Sequence, residues 1–410
     1  MNVSDGDLLT APIHADAWLL DHAVTFLNHG SFGACPLDVL DRQQEIRREM
    51  EREPVDFLAR RMTPLLDESR ETLAELIDAD PADVVFVHNA TAGVNAVLRS
   101  LKFRPGDEIL VTAHDYNACR NVARYVAAQT GAVIVEVPLP LPIDSPEQVV
   151  DAVLSRTTPR TRLAILDHIT SPTALVFPIG KLVAELNGRG IDTLVDGAHA
   201  PGMAPLSMRR IGAAYYTGNC HKWLCAPKGA GFLYVRRDRQ ADIQPPIISH
   251  GWNRSRAGHS PFQDAFDWPG TLDPSAWLCV GEAIRFLGRL MPGGLPALME
   301  RNHALAMLGR QTLCRRLGVT PVGQEAMLGS MAAVILPDHL SARFLRGQSS
   351  NTLDNAALHD ELHDRYKIEA PTYCWPVAPQ LMLRISAQAY NHAAQYERLA
   401  DALEELQKGE

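Results

Sequence analysis

The sequence predicts an α/β fold, with a large mainly parallel-sheet domain and a smaller α+β C-terminal domain. Three observations carry this. From Asp80-Pro81 onward, short apolar runs alternate with amphipathic helical stretches, the pattern of a sheet covered on both faces. A chain of 410 residues is too long for one small core. Finally, a Pro292-Gly293-Gly294 cluster interrupts the pattern, and strands and helices follow it in a different order. The chain therefore divides into an N-terminal arm over 1–35, a large domain over 36–291 and a small domain over 292–410.

The arm is polar until a short apolar strand at Thr25-Phe26, which runs into Gly30 and Gly33. Glycines there let main chain approach a ligand or another strand, although an ordinary turn explains the same spacing. Helix is expected from Pro36, with Leu37, Leu40 and Ile46 among charges, and again through Phe57, Leu65, Leu73 and Leu76. Strands are expected at 84–87, 108–112, 132–137, 163–167 and 193–195, and helices over 92–101, 117–128, 146–154 and 179–187. Short strands at 213–217 and 231–235 follow without a long helix between them. Residues 243–274 read as a long loop of the kind that carries function, and 275–290 as a helix. Beyond the Pro/Gly cluster come a helix over 295–317, a strand at 332–336, a helix over 355–366, short strands around Ile368 and Leu383, and a closing helix from His392.

Composition narrows the class. With 46% hydrophobic and 21% charged residues, the chain is a soluble globular protein. A net charge of −9 leaves no electrostatic footprint for nucleic acid or an anionic membrane. The seven cysteines are scattered and odd in number, without C-x-x-C spacing, as in reduced cytoplasmic proteins. No basic region precedes a long apolar core at the N-terminus, and no run approaches the length of a membrane helix. A cytoplasmic location is expected.

Chemistry gathers at the ends of the expected strands. Asp196 ends one apolar run, and Lys222 lies just past another, a strand-to-strand crossover away. Pyridoxal phosphate requires such a pair: a lysine for the Schiff base and an acid for the pyridinium nitrogen. On these two residues alone, a surface lysine and a loop aspartate explain as much. Asn89-Ala90-Thr91-Ala92-Gly93 marks a strand-to-helix junction where a phosphate could dock on free N–H groups, or where Asn or Thr merely caps a helix. Tyr116 follows the next strand and offers a ring to stack on a flat cofactor, or simply begins a helix. The loop from His168 to Ala174 offers hydroxyls, as many strand-to-helix loops do. Each signal is weak alone, but they fall at one edge of a parallel sheet, where a binding crevice belongs.

Competing motifs are weaker. His359 and His363 have the i, i+4 spacing of a zinc site, yet the glutamate is misplaced for H-E-x-x-H and no third ligand is evident, so a solvated helix face is expected and no metal. No G-x-G-x-x-G follows a strand and no Walker-type loop occurs.

The segments FLNHGSFGACP, NATAGVN, HITSPTALVFPIG, VDGAHAPG, YTGNCHKWLCAPKGAGFLYV, WPGTLDPSAWL and LRISAQAYN occur in this order. Through them the chain resembles the class V aminotransferase-like family of pyridoxal phosphate enzymes, and within it the isopenicillin N epimerase-like group. The resemblance implies the PLP-dependent transferase type I fold, with the arm near the active site and packed on the small domain. Lys222 would carry the Schiff base, and Asp196 would pair with the pyridinium nitrogen. Tyr116 would stack on the ring, where cysteine desulfurases usually place a histidine. Ala90 and Thr91 would hold the phosphate, helped by Asn219 and His221, with His199 and Ser171 near the phenolic oxygen. Thr271 would reach the partner's cofactor in a homodimer, Arg384 would clamp the substrate carboxylate, and Asn28 and His29 would lie near the substrate mouth. Ser171 and Asn219 replace the family's common asparagine and serine, which moves the chain from the desulfurases towards the epimerase-like branch. The implied activity is epimerisation at the α-carbon of an amino acid or an amino-acid-containing small molecule. A C–S lyase or cysteine desulfurase is the alternative, and an aminotransferase or a non-catalytic relative stands further off. Cys374 falls near the desulfurase nucleophile, but its surroundings lack the desulfurase lead-in, which favours an incidental cysteine.

Overall fold

The computed structural model describes residues 7–344, 357–375 and 380–408. Its centre is a seven-stranded sheet of β2 (Val84–Val87), β3 (Glu108–Thr112), β4 (Val133–Val137), β5 (Thr161–Asp167), β6 (Asp192–Gly197), β7 (Tyr215–Asn219) and β8 (Gly231–Val235). Their order is β2-β8-β7-β6-β5-β3-β4. Only β8 runs against its neighbours, pairing antiparallel with both β2 and β7. The other pairs are parallel, with helical crossovers such as Asn117–Thr130 between β3 and β4 and Ile179–Gly188 between β5 and β6.

Side-chain alternation explains why both faces are covered. Phe86, Leu110, Leu166, Val195 and Tyr216 enter one core, while Val85, Ile109, Ile165, Leu194 and Tyr215 enter the other. The first core continues into an antiparallel three-stranded sheet, β11-β12-β9, formed by β9 (Met331–Ile335), β11 (Thr372–Cys374) and β12 (Leu381–Ser386). The arm strand β1 (Thr25–Phe26) pairs in parallel with β10 (Ile368–Glu369). That pairing carries Asn28 to Phe32 across the edge of the large sheet. Gly33 makes the crossing possible: its φ is +70°, and a Cβ there would lie 2.0 Å from the His221 carbonyl oxygen.

Most expected elements appear within a few residues of their expected bounds. The stretch 243–274 is less loop-like than expected, because Ser260 and Gln263 form a capping box that starts a helix over Pro261–Asp267. The helix expected over 275–290 is two, Ser275–Leu278 and Val280–Arg289. The strand expected at 213–217 begins at Tyr215, because Gly212 ends a short helix in the left-handed conformation and Ala213-Ala214 only lead in. The helix over Ala357–Tyr366 is seen, while Asn355 and Ala356 lie outside the described residues. Three residues, Thr372–Cys374, are too few for period-2 alternation to show in the sequence.

Candidate active site

The strand ends bring the chemistry together. Asp167, Asp196 and Thr217 lie side by side in register on β5, β6 and β7. Beyond them opens an inner cavity of about 180 Å³, floored by Asp196, Asp167 and Lys222 and closed by Ala90, Thr91, Tyr116, His199, Asn219 and His221. An outer cavity of about 420 Å³ shares Ser31, Phe32, Tyr116, Ser171 and Lys222 with it and adds Asn28, His359, Glu369, Tyr373 and Arg384.

Lys222 is poised to be neutral. Burial above all, and then the Arg384 guanidinium, pull its amine down to about 7, against the opposing pull of Asp196. Its Nζ lies 3.1 Å from His199 Nε2. Burial and the neighbouring lysine keep His199 well below the ordinary histidine range.

Below the lysine the acids are crowded. Asp196 Oδ2 accepts from the Cys119 thiol at 2.9 Å, and Oδ1 accepts from the Ala198 N–H at 2.9 Å. Burial still pushes its pKa up. Burial, and then the charges of Asp115 and Asp196, push Asp167 up further. Among the described residues no lysine or arginine forms an ion pair with either acid, and Lys222, which draws both down, is itself lowered towards neutrality.

The helix at the phosphate-type seat begins two residues earlier than expected. The helix starts at Ala90, with Asn89 as its cap accepting from the Ala92 N–H. Asn219 Oδ1 accepts the Ala90 N–H at 2.8 Å, so the backbone donor expected to hold the phosphate is already engaged. Among the described residues nothing accepts from the Thr91 N–H, which remains for a ligand at the positive end of the helix. Gly93 lets the helix sit close on the sheet, since a Cβ there would meet Thr217 Oγ1 at 2.2 Å.

On the outer side, Arg384 is almost fully buried and its fork is engaged. Nη1 donates to the Ser171 carbonyl at 2.6 Å and to its hydroxyl at 3.2 Å, while Nη2 donates to Ser31 Oγ at 3.0 Å and Asn28 Oδ1 at 3.3 Å. All these acceptors are uncharged, and a carboxylate forms the stronger bond with guanidinium. Asn28 in turn donates to Glu369 Oε1 at 2.7 Å.

Two expected placements differ, those of His29 and His359. His29 is fully buried rather than at a mouth: its Nε2 donates to the Lys222 carbonyl at 3.0 Å, and its Nδ1 accepts from the Tyr390 hydroxyl at 2.7 Å. The helical turn His29–Phe32 directs it inward, under the lysine. His359 is not a solvated face, since it lines the outer cavity and its Nε2 lies 2.9 Å from Glu369 Oε1. Cys374 lines neither cavity but a third of about 300 Å³, beside Arg120, Arg124 and Trp375. Thr271 is exposed and lines none of these three cavities. Sequence reasoning passed over Glu369, Tyr373, Ser31 and Cys119, because nothing in their local sequence marks what tertiary folding brings beside the lysine.

The chain matches the family profile "Aminotransferase class-V" over residues 33–346. It is 37% identical to the isopenicillin N epimerase of Amycolatopsis lactamdurans, covering 95% of this chain and 96% of that one. It belongs to the class V aminotransferase family. A putative L-cysteine desulfhydrase of Oryza sativa subsp. japonica is 33% identical, covering 97% of this chain and 86% of the relative. The cystine C–S lyase C-DES, solved with cysteine persulfide, has the same fold: TM-score 0.78 at 22% identity, covering 93% of this chain and 97% of that one. The family's cofactor is pyridoxal 5'-phosphate, and the donor set fits it. A half-buried amine held near neutrality, a helix N-terminus with an unfilled N–H, and a buried carboxylate without an ion-pair partner among the described residues suit its aldehyde, phosphate and protonated pyridine respectively.

The buried histidines give the fold a pH dependence. Burial is the leading cause that lowers His29 to about 3, and His114, His168 and His221 to about 4. Unfolded, each titrates near 6.5. Between these values the unfolded chain binds more protons, so stability present above pH 6.5 is lost as pH falls towards 4. The melting temperature should fall steeply over that window; a flat profile from pH 7 to 4 would exclude neutral burial of these rings.

Proposed function

We propose that this class V enzyme acts at the α-carbon of an amino acid or an amino-acid-containing small molecule, and that its reaction is an epimerisation. The observation that carries this is identity of 37% to an isopenicillin N epimerase across nearly both whole chains. Bound pyridoxal phosphate supplies an electron sink that acidifies the α-C–H. In this reading Lys222 holds the cofactor and then, as a neutral amine, takes the α-proton. Asp196 keeps the pyridine nitrogen protonated, Tyr116 covers the ring, and Thr91, Asn219 and His221 hold the phosphate. His199 and Ser171 face the phenolic side. Arg384 exchanges its serine and asparagine contacts for the substrate carboxylate, with Asn28 beside it and His29 fixing the lysine from below. Thr271, exposed and lining none of these three cavities, completes a partner's site in a homodimer.

A C–S lyase is the second reading, favoured by the desulfhydrase relatives at similar coverage. A thiol-dependent desulfurase has less support, since Cys374 does not share a cavity with Lys222. Cys374→Ala is therefore expected to leave turnover unchanged. Arg384→Lys is expected to raise KM about tenfold or more, because an ammonium cannot form the two-pronged bond. The deciding experiment incubates the protein with amino acids and thioethers in D₂O. Deuteration at the α-carbon with inversion supports epimerisation; release of sulfide, pyruvate or another keto acid would replace it with the lyase reading.

A further inference from the structure

We propose that Trp223 fixes the tautomer of His199, so that His199 presents an Nε2–H to Lys222 and to the cofactor attached there. The inference rests on Lys222 being the cofactor's anchor. It follows from two contacts and the valence of an imidazole. The Trp223 indole Nε1 donates to His199 Nδ1 at 3.3 Å. An indole nitrogen has a proton and no lone pair to offer, so Nδ1 must be the accepting nitrogen. A neutral imidazole with an accepting Nδ1 carries its one proton on Nε2. That nitrogen is the one 3.1 Å from Lys222 Nζ.

The consequence reaches the lysine. An ammonium at Nζ would point a proton at Nε2–H, donor against donor. A neutral amine accepts from it instead, so the tautomer favours the uncharged, nucleophilic form of Lys222. Water has no access to the Nδ1 contact from the Trp223 side, because Trp223 is not exposed at all and His199 is only 2% exposed. With Trp223 unable to donate, Nδ1 is free to take the proton. Nε2 then becomes an acceptor that stabilises the ammonium. Trp223 touches neither cavity, so it is a positioning residue that acts through His199.

Two proteins test this beside the wild type: Trp223→Phe, and a protein with β-(3-benzothienyl)alanine at position 223. The second keeps the ring volume and replaces the N–H by sulfur, so a packing defect does not confuse the result. Two readouts on the apoprotein avoid turnover. Ring-nitrogen NMR reports the His199 tautomer, its signals identified among the 15 histidines by their loss in His199→Gln. The pH dependence of Lys222 arylation reports the state of the amine. The expected result is an Nε2–H tautomer in the wild type, and in the isostere a shift of the proton towards Nδ1 with the arylation midpoint raised by about one pH unit, a tenfold change in the neutral fraction. An Nδ1–H tautomer in the wild type, or an isostere with unchanged tautomer and midpoint, would overturn the proposal. Borohydride reduction of the wild-type holoprotein checks the anchor separately: cofactor fixed elsewhere than Lys222 would undo the functional reading, whatever the tautomer.

Discussion

Lys222→Ala is expected to abolish turnover, with a loss of at least about 10³-fold, because it removes both the cofactor's covalent anchor and the proposed base. The variant should still take up pyridoxal phosphate, since Thr91, Asn219, His221, Tyr116 and Asp196 remain around the cavity. Its bound cofactor should no longer be fixed by borohydride. Added small amines should restore part of the activity, since an untethered amine can occupy the vacated volume and serve as base. Full retention of turnover would remove the lysine from the mechanism. The same variant also carries a stability signature. The wild-type amine is lowered to about 7 in the folded protein, chiefly by burial, and sits near 10.4 when unfolded. Between those values the unfolded chain binds the extra proton, so wild-type apoprotein gains stability as pH rises from 7 to 10. Lys222→Ala lacks that gain. The difference in unfolding free energy between the two apoproteins should therefore move in favour of the wild type across that window, and a constant difference would mean that the amine is not held neutral.

The parts of this protein that the sequence made legible are those written in periodicity and punctuation. Apolar runs placed β2, β3 and β8 at their observed bounds, because strands buried on both faces read as near-continuous apolar stretches, here VVFV, ILV and FLYV. Asp196 and Lys222 stood out because each follows such a run. What stayed hidden depends on contacts between distant segments. His29 looks like a mouth residue in the segment FLNHGSFG, and only the crossing of the arm beneath Lys222 turns it into a bond to that residue's carbonyl. Glu369 reaches Asn28 through the pairing of two strands of two residues each, shorter than any pattern can register. Cys119 meets Asp196 because the first turn of the helix Asn117–Thr130 comes to the carboxyl end of β6, a fact of topology rather than of local sequence.

Asp196→Asn is expected to weaken cofactor binding by roughly a hundredfold or more and to cost activity at least as much, the scale of about 3 kcal/mol for removing one member of a buried ion pair. In the apoprotein the carboxylate is nearly inaccessible and its ionised form is disfavoured by burial. Its two hydrogen-bond donors, a thiol and one backbone N–H, are too weak to offset that cost. A protonated pyridine provides the missing positive charge. Binding should then return the carboxylate to its ionised form and hold the ring nitrogen protonated, each stabilising the other. Asparagine keeps the shape and one acceptor but removes the charge, so the ring nitrogen loses the reason to hold its proton. A cofactor analogue with carbon in place of the ring nitrogen separates charge from shape. It should bind the wild type and Asp196→Asn with similar affinity, while authentic pyridoxal phosphate discriminates between them. If the analogue also lost a hundredfold on the variant, the aspartate would be shaping the cavity rather than pairing with the ring, and the proton on that nitrogen would need another keeper.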